Sequence, residues 1–342
     1  MARRTNQILV SEETLEFHRR SLVIDLHTDS LIAAKMLGMD LSKRHRAPRG
    51  FRPWMLHADV PKLAQGGVDG VWLGIVTHPW PHRGFARASA NMDYAEFVMR
   101  KNAGRLRAAM RAEDVERAKE QGRIAVMLGV EGMHMLSGTV DSIRELYSRG
   151  VRYITLAHFS SNRFAVTSAT KRKKSAALPS AGIEAVELMN DLGMLVDVAH
   201  VHTDLIAEVC ARSRAPVIVS HGAAAAVRPT FRNLTDRDIR DIAGTGGVIG
   251  LIYADHWLSC EGPRPTLDVV VDHADHIRGL VGVDHLALGS DWDGFIRTPV
   301  GMDDAADLPR LTQLFLDRGY GYDEVEKILG LNFMRVFRQV CG

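Results

Sequence analysis

The stretch Leu22-Val23-Ile24-Asp25-Leu26-His27-Thr28-Asp29 decides how the rest of the chain is read. It opens as a run of branched apolar residues and stops in side chains that carry protons or bind cations. A short run that is apolar on both faces suits a strand covered on both sides, as in a parallel sheet flanked by helices. Counting this first run as 22–26, the pattern returns at 68–76, 124–130, 151–157, 194–199, 217–220, 248–252 and 285–290. Helix-like stretches lie between the runs, for example at 91–121, 140–149, 181–192, 203–212, 235–243 and 267–280. Thr203 and Thr235 act as start signals, and Gly150, Gly193 and Gly244 as stops. Eight such runs alternating with helices predict a closed (β/α)8 barrel of the TIM type, one α/β domain over residues 1–342. Two further helices, near 302–318 and 322–339, close the chain. An open doubly wound sheet is the alternative, and the absence of a GxGxxG after the first run weighs against it.

Composition sets the outer limits. A hydrophobic share of 46% over 342 residues supplies a large core, and 25% charged residues is an ordinary globular share. With 43 basic against 41 acidic residues the formal net charge is +2, which gives no reason to expect a nucleic acid or an anionic membrane as partner. Cys210, Cys260 and Cys341 are widely spaced and form no CxxC pair, so neither a disulfide framework nor a thiolate zinc site is expected. The opening residues lack the apolar core of a secretion signal, and no apolar stretch is long enough to span a bilayer. The expected location is therefore the cytoplasm, and a homodimer is left open. The segments 44–53 and 163–179 are loop-like, the second carrying the basic run 171–174, read as a solvated loop at the mouth of the site.

In a barrel of this type the chemistry sits where strands finish. The first run finishes in His27 and Asp29, the third in Glu131, the fourth in His158, the fifth in His200, the sixth in His221 and the eighth in Asp291. The second finishes in Thr77 and His78, the seventh in Tyr253. One histidine at a strand end is ordinarily a hydrogen-bonded structural group. A ring of imidazoles and carboxylates is different, because converging buried charges stay unpaired without a cation. Nitrogen and oxygen donors without thiolate suit zinc or another divalent first-row ion. His27 and Asp29, two residues apart in an extended segment, can share one ion, and His200 and His221 from neighbouring strands a second. Glu131 can bridge the pair, and a pair of ions about 3.5–4 Å apart holds and activates a hydroxide for hydrolysis.

The ordered segments Asp25-Leu26-His27-Thr28-Asp29, Gly129-Val130-Glu131-Gly132, Thr155-Leu156-Ala157-His158, Val196-Asp197-Val198-Ala199-His200, Val219-Ser220-His221, Arg232-Asn233 and Gly289-Ser290-Asp291-Trp292-Asp293-Gly294 resemble the motifs of the renal (membrane) dipeptidase family, zinc peptidase family M19. The closing Gly330-Leu331-Asn332-Phe333-Met334-Arg335-Val336-Phe337 is similar to that family's C-terminal signature. The resemblance runs from about residue 20 to 340 and implies a two-zinc (β/α)8 barrel. It implies a substrate of small dipeptides, L-Xaa-L-Xaa with tolerance of L-Xaa-D-Xaa, cut by a hydroxide between the ions. It implies His27 and Asp29 on one ion, His200 and His221 on the other, and Glu131 between them. It gives His158 the substrate's reacting carbonyl, Arg232 the C-terminal carboxylate, and Asp291 proton transfer. The residues alone do not choose between Arg228 and Arg232 for the carboxylate, and Asp293 reads as a turn or supporting group.

The chain departs from the family text at residues 251–254 and 163–166, both expected to border the substrate pocket. His273 and His276 are expected on the outer wall. His45, His57, His82, His134, His202, His256 and His285 are expected at the surface or behind the ligands, and Met133-His134-Met135 as packing beside Glu131. Two other functions compete. One is a different metal-dependent hydrolysis on the same barrel, of a cyclic amide or by deamination. Relatives of that kind commonly bridge their metals with a modified lysine on the fourth strand, and no lysine ends a run here. The other is a non-catalytic binding barrel, which loss of a ligand or of Asp291 would suggest.

Overall fold

The computed structural model describes residues 8–46, 54–78, 84–136, 139–170, 177–259 and 264–342. Its strands are β1 (Ile24–Thr28), β2 (Gly70–Val76), β3 (Leu106–Ala108), β4 (Ile124–Glu131), β5 (Val151–Thr155), β6 (Leu195–Asp197), β7 (Val217–Gly222), β8 (Val248–Leu251) and β9 (Leu286–Leu288). All pairings between them are parallel, in the order β2-β1-β9-β8-β7-β6-β5-β4, and β4 pairs back onto β2. That last pairing closes the ring and rules out the open sheet.

β3 was not expected. The stretch 91–121, read as one helix, is two helices, Gly84–Lys101 and Ala112–Glu120, with β3 between them. Helical propensity runs through most of this stretch, but Asn102–Gly104 turns the chain, and Leu106–Ala108 pairs with Ile124, Ala125 and Val126 of β4. β5 uses β4 only from Leu128 onward, so β3 fills the edge left open at the base of that strand. Strand pairing here overrides local propensity.

Alternation along the strands makes two apolar layers. One lies between the ring and its helices. The other fills the barrel interior with Ile24, Leu26, Trp72, Met127, Tyr153, Leu195, Ile218 and Val248. The C-terminal helix Asn332–Cys341 closes the base, with Phe333 and Phe337 against Trp72 at 5.8 and 5.7 Å between ring centroids. It follows a π-helical turn at Lys327–Leu331, where the sequence reads as one uninterrupted helix. With apolar side chains packed below, the open end of the barrel is the end where the strands finish. Among the described residues no helix is long and apolar enough to cross a membrane. The basic run 171–174, Cys260 and His82 lie outside the described residues.

Candidate metal centre

The strand ends bring the expected donors together. His27 Nε2 lies 3.4 Å from Asp29 Oδ1, 3.8 Å from Glu131 Oε1 and 4.0 Å from Asp291 Oδ1. His200 Nε2 is 3.0 Å and His221 Nε2 3.5 Å from the same Glu131 Oε1, and the two imidazole nitrogens are 2.9 Å apart. His158 Nε2 stands 3.3 Å from Glu131 Oε2. All seven side chains are buried. Donors bound to one tetrahedral zinc at about 2.0–2.1 Å are separated by roughly 3.3 Å, so these spacings fit shared ions. Three overlapping groups have that reach: His27, Glu131 and His221; Glu131, His158 and His200; His27, Asp29 and Asp291. His158 and Asp291 are thus as close to the centre as the expected ligands.

Two supports fix the rings. Asp197 accepts hydrogen bonds from Ser220 N and from the hydroxyls of Ser220 and Thr155. Because Ser220 Oγ donates to Asp197, it accepts from His221 Nδ1 at 3.0 Å, and His221 Nε2 is left as a bare lone pair facing Glu131. His27 Nδ1 meets the Tyr153 hydroxyl at 2.7 Å. That ring fits because residue 129 has no side chain: a Cβ there would sit 2.0 Å from Tyr153 Cζ. Strict alternation from Leu26, which packs inside, would turn His27 outward. The β1–β2 register shifts between Asp25 and Thr28, and His27 reaches Tyr153 inside the barrel. His200 and Asp291 both have φ of 61°. Such left-handed conformations are costly for non-glycine residues and concentrate at functional sites.

The electrostatics call for a cation. Burial works against charging His27, but Glu131, Asp29 and Asp291 more than offset it and raise its pKa to about 10. Burial raises Glu131 well above the carboxylate range and lifts Asp291 to about 8, with neighbouring carboxylates adding to both. Burial also holds His158, His200 and His221 well below the usual imidazole value, so they are neutral and ready to ligate. His27 Nε2, Asp29 Oδ1 and Glu131 Oε2 are buried and have no hydrogen-bond partner among the described residues. Unpaired buried donors and acceptors of this kind are expensive unless an ion takes them up, so the residues present fit a metal centre.

Above the cluster lies a cavity of about 510 Å³, lined by Asp29, Glu131, His158, His200, Arg232 and Asp291, by Thr77, His78 and His256, and by apolar side chains. Arg232 is buried, and Nη2 donates to the His221 carbonyl at 3.0 Å. Arg228 does not line the cavity, which settles which arginine faces it. Asn233 holds the loop by donating to the carbonyls of Arg228 and Trp257. Asp293 is the support it was read as: it accepts from Ser30 Oγ and from the backbone of His57 and Ala58. Residue 294 must lack a Cβ, which would sit 2.2 Å from Asp291 Oδ1.

The two segments expected at the pocket edge are elsewhere. Tyr253 is buried against Trp292, Phe164 and Ala165 are buried, and none lines the cavity. Phe159, His256 and Trp257, a few residues away in each case, do. His273 is buried on the outer wall, taking a hydrogen bond from Ala224 N and donating to the Leu258 carbonyl.

Sequence reasoning missed Tyr153, Asp197 and Ser220 as supports. The available signal was their polarity inside otherwise apolar runs.

Residues 11–341 match the family model described as membrane dipeptidase, peptidase family M19. Dipeptidase tcpJ of Claviceps purpurea (strain 20.1) is 34% identical over 295 residues, 83% of this chain and 69% of that protein. Dipeptidase verJ of Clonostachys rogersoniana is 33% identical over 296 residues, 83% of this chain and 76% of that one. The structure of the probable dipeptidase PvdM from Pseudomonas aeruginosa gives a TM-score of 0.85 at 22% identity, over 96% of this chain and 98% of its own. A metallopeptidase from Rhodobacter sphaeroides, liganded with a phosphinate mimic of the dipeptide L-Ala-D-Ala, gives 0.83 at 23% identity, over 94% and 99%. The two structural likenesses speak for the barrel, while the model match and the sequence identities speak for descent: the chain belongs to the membrane dipeptidase family, peptidase family M19.

Proposed function

We propose that this protein hydrolyses dipeptides at a pair of divalent ions, zinc being the ion its donors suit. In this reading His27 and Asp29 hold one ion, His200 and His221 the other, and Glu131 both. The observation that carries it is the set of buried atoms His27 Nε2, Asp29 Oδ1 and Glu131 Oε2, crowded together without a hydrogen bond among the described residues, beneath a cavity that also presents Arg232. Membership of a dipeptidase family, with tcpJ and verJ as relatives, supports the reaction class. Once bound, the ions would supply an attacking hydroxide at neutral pH and positive charge for the developing oxyanion.

The chain's own residues then divide the remaining work. Arg232 grips the substrate's C-terminal carboxylate and sets which bond lies over the cluster. His158, held neutral by burial, donates an N–H to the scissile carbonyl oxygen as charge develops on it. Asp291 takes the proton of the attacking water on its carboxylate and returns it to the leaving nitrogen. Acceptance of a D-residue at the C-terminal position is supported by the Rhodobacter relative, which holds a mimic of L-Ala-D-Ala. Free L-Ala-L-Ala and L-Ala-D-Ala are expected to be cut and their C-terminal amides spared. Arg232→Met is expected to lower kcat/KM by roughly 2–5 kcal/mol, the cost of leaving one partner of a buried charge pair alone. Equal rates for amides and free dipeptides would refute the carboxylate grip.

A further inference from the structure

We infer that the aliphatic wall formed by Ile32, Met36 and Val76 receives the side chain of the substrate's N-terminal residue, and that the enzyme selects dipeptides with a bulky apolar residue there. This rests on the proposed dipeptide hydrolysis. Ring order fixes the direction. Around the closed barrel the strands run β1-β2-β4-β5-β6-β7-β8-β9, so β7 lies opposite β2. Arg232 follows β7, and Val76 ends β2. A dipeptide with its carboxylate on Arg232 and its peptide carbonyl over Glu131 and its neighbours must project its first residue toward the β1–β2 side. There Ile32 and Met36 lie four residues apart on the helix Ser30–Leu37, hence on one face, and line the cavity with Val76.

Thr77 and His78 follow Val76 and also line the cavity, and the rest of this wall is aliphatic. Arg232 is the single arginine or lysine lining the cavity among the described residues, and the carboxylates lining it are Asp29, Glu131 and Asp291, all drawn into the cluster. A charged first side chain would be desolvated against Ile32, Met36 and Val76 without a counter-ion. A long apolar one removes from water a surface that is now left wet. Met36 is 61% exposed, on the last turn of a helix whose earlier residues Leu31, Ala33 and Ala34 are buried. At about 510 Å³ the cavity exceeds what two small residues fill.

The test is a series of Xaa-Ala dipeptides on the metal-loaded enzyme, with Xaa as Gly, Leu, Met, Asp or Lys, paired with calorimetric binding of the uncleaved phosphinate isosteres of Gly-Ala and Leu-Ala. Leu-Ala and Met-Ala are expected to exceed Gly-Ala in kcat/KM by roughly ten- to a hundredfold, with Asp-Ala and Lys-Ala below Gly-Ala. The Leu isostere is expected to bind more tightly than the Gly isostere by a similar factor. Met36→Glu is expected to raise Lys-Ala relative to Leu-Ala by about tenfold or more. Cleavage of all five within about threefold of one another, or equal binding of the two isosteres, overturns the side-chain assignment and leaves dipeptide hydrolysis standing. No cleavage of any dipeptide overturns both.

Discussion

Asp291 is the residue at which geometry and chemistry have to be separated by experiment. Its carboxylate lies 4.0 Å from His27 Nε2, close enough to ligate, and it belongs to a group with His27 and Asp29 that could hold an ion. Its backbone φ of 61° and the missing side chain at Gly294 show a position built to aim that carboxylate into the cavity. Asp291→Asn keeps the size of the group but removes its ability to carry a proton. If Asp291 transfers the proton, the variant retains its metal and binds substrate while kcat falls by roughly 10²–10⁴-fold. Metal-depleted protein from the same substitution would identify Asp291 as a ligand, and a fully active, metal-replete variant would remove it from the reaction. The donors were readable in the sequence because each ends an apolar run. The supports were not, because Tyr153, Asp197 and Ser220 sit within the runs, and only the register between strands shows that they touch His27, each other and His221.

At the scale of single elements, the N-terminal helix Glu12–Arg20 shows how a surface helix is pinned. Its buried His18 bonds the Gly66 carbonyl through Nε2 at 2.8 Å and Thr312 Oγ1 through Nδ1 at 2.7 Å. A carbonyl can only accept, so Nε2 carries the proton and Nδ1 accepts from the threonine hydroxyl. Burial opposes a charged ring, and Lys119 and Arg19 add to it, so the pKa falls from 6.5 to about 4. The unfolded chain therefore takes up a proton near pH 6.5 that the folded chain refuses until near pH 4. Stability from this group is full above pH 6.5 and is lost as pH falls toward 4, on the order of 3 kcal/mol in all. His18→Gln is expected to cost stability at pH 7 and to lose less of it between pH 6.5 and 4 than the unmodified protein does, as read from denaturant midpoints. Parallel pH profiles for the two proteins would show that His18 does not titrate with folding. This histidine, like β3, was not legible beforehand, since its partners are 48 and 294 residues away in sequence.

For the whole molecule, eight apolar runs alternating with helices were enough to fix the barrel, because a both-face apolar strand has few other places to go. Three details escaped that reading: the extra strand β3, the π turn at Lys327–Leu331, and the shift of the pocket wall from residues 251–254 and 163–166 to Phe159, His256 and Trp257. Each depends on packing between distant segments. The cluster itself depends on the closed ring, since its donors lie at or just beyond the ends of β1, β4, β5, β6, β7 and β9. Glu131 is the residue on which the parts converge, within 4.0 Å of His27, His158, His200 and His221. The decisive measurement is elemental analysis of the purified protein beside its Glu131→Ala variant, with L-Ala-L-Ala hydrolysis followed on both. A two-metal dipeptidase centre predicts close to two divalent ions per chain, zinc foremost, with occupancy of both sites and hydrolysis falling together when Glu131 is removed. Protein that carries no ion and is not activated by added zinc, cobalt or manganese, or a variant that keeps both ions, would contradict it.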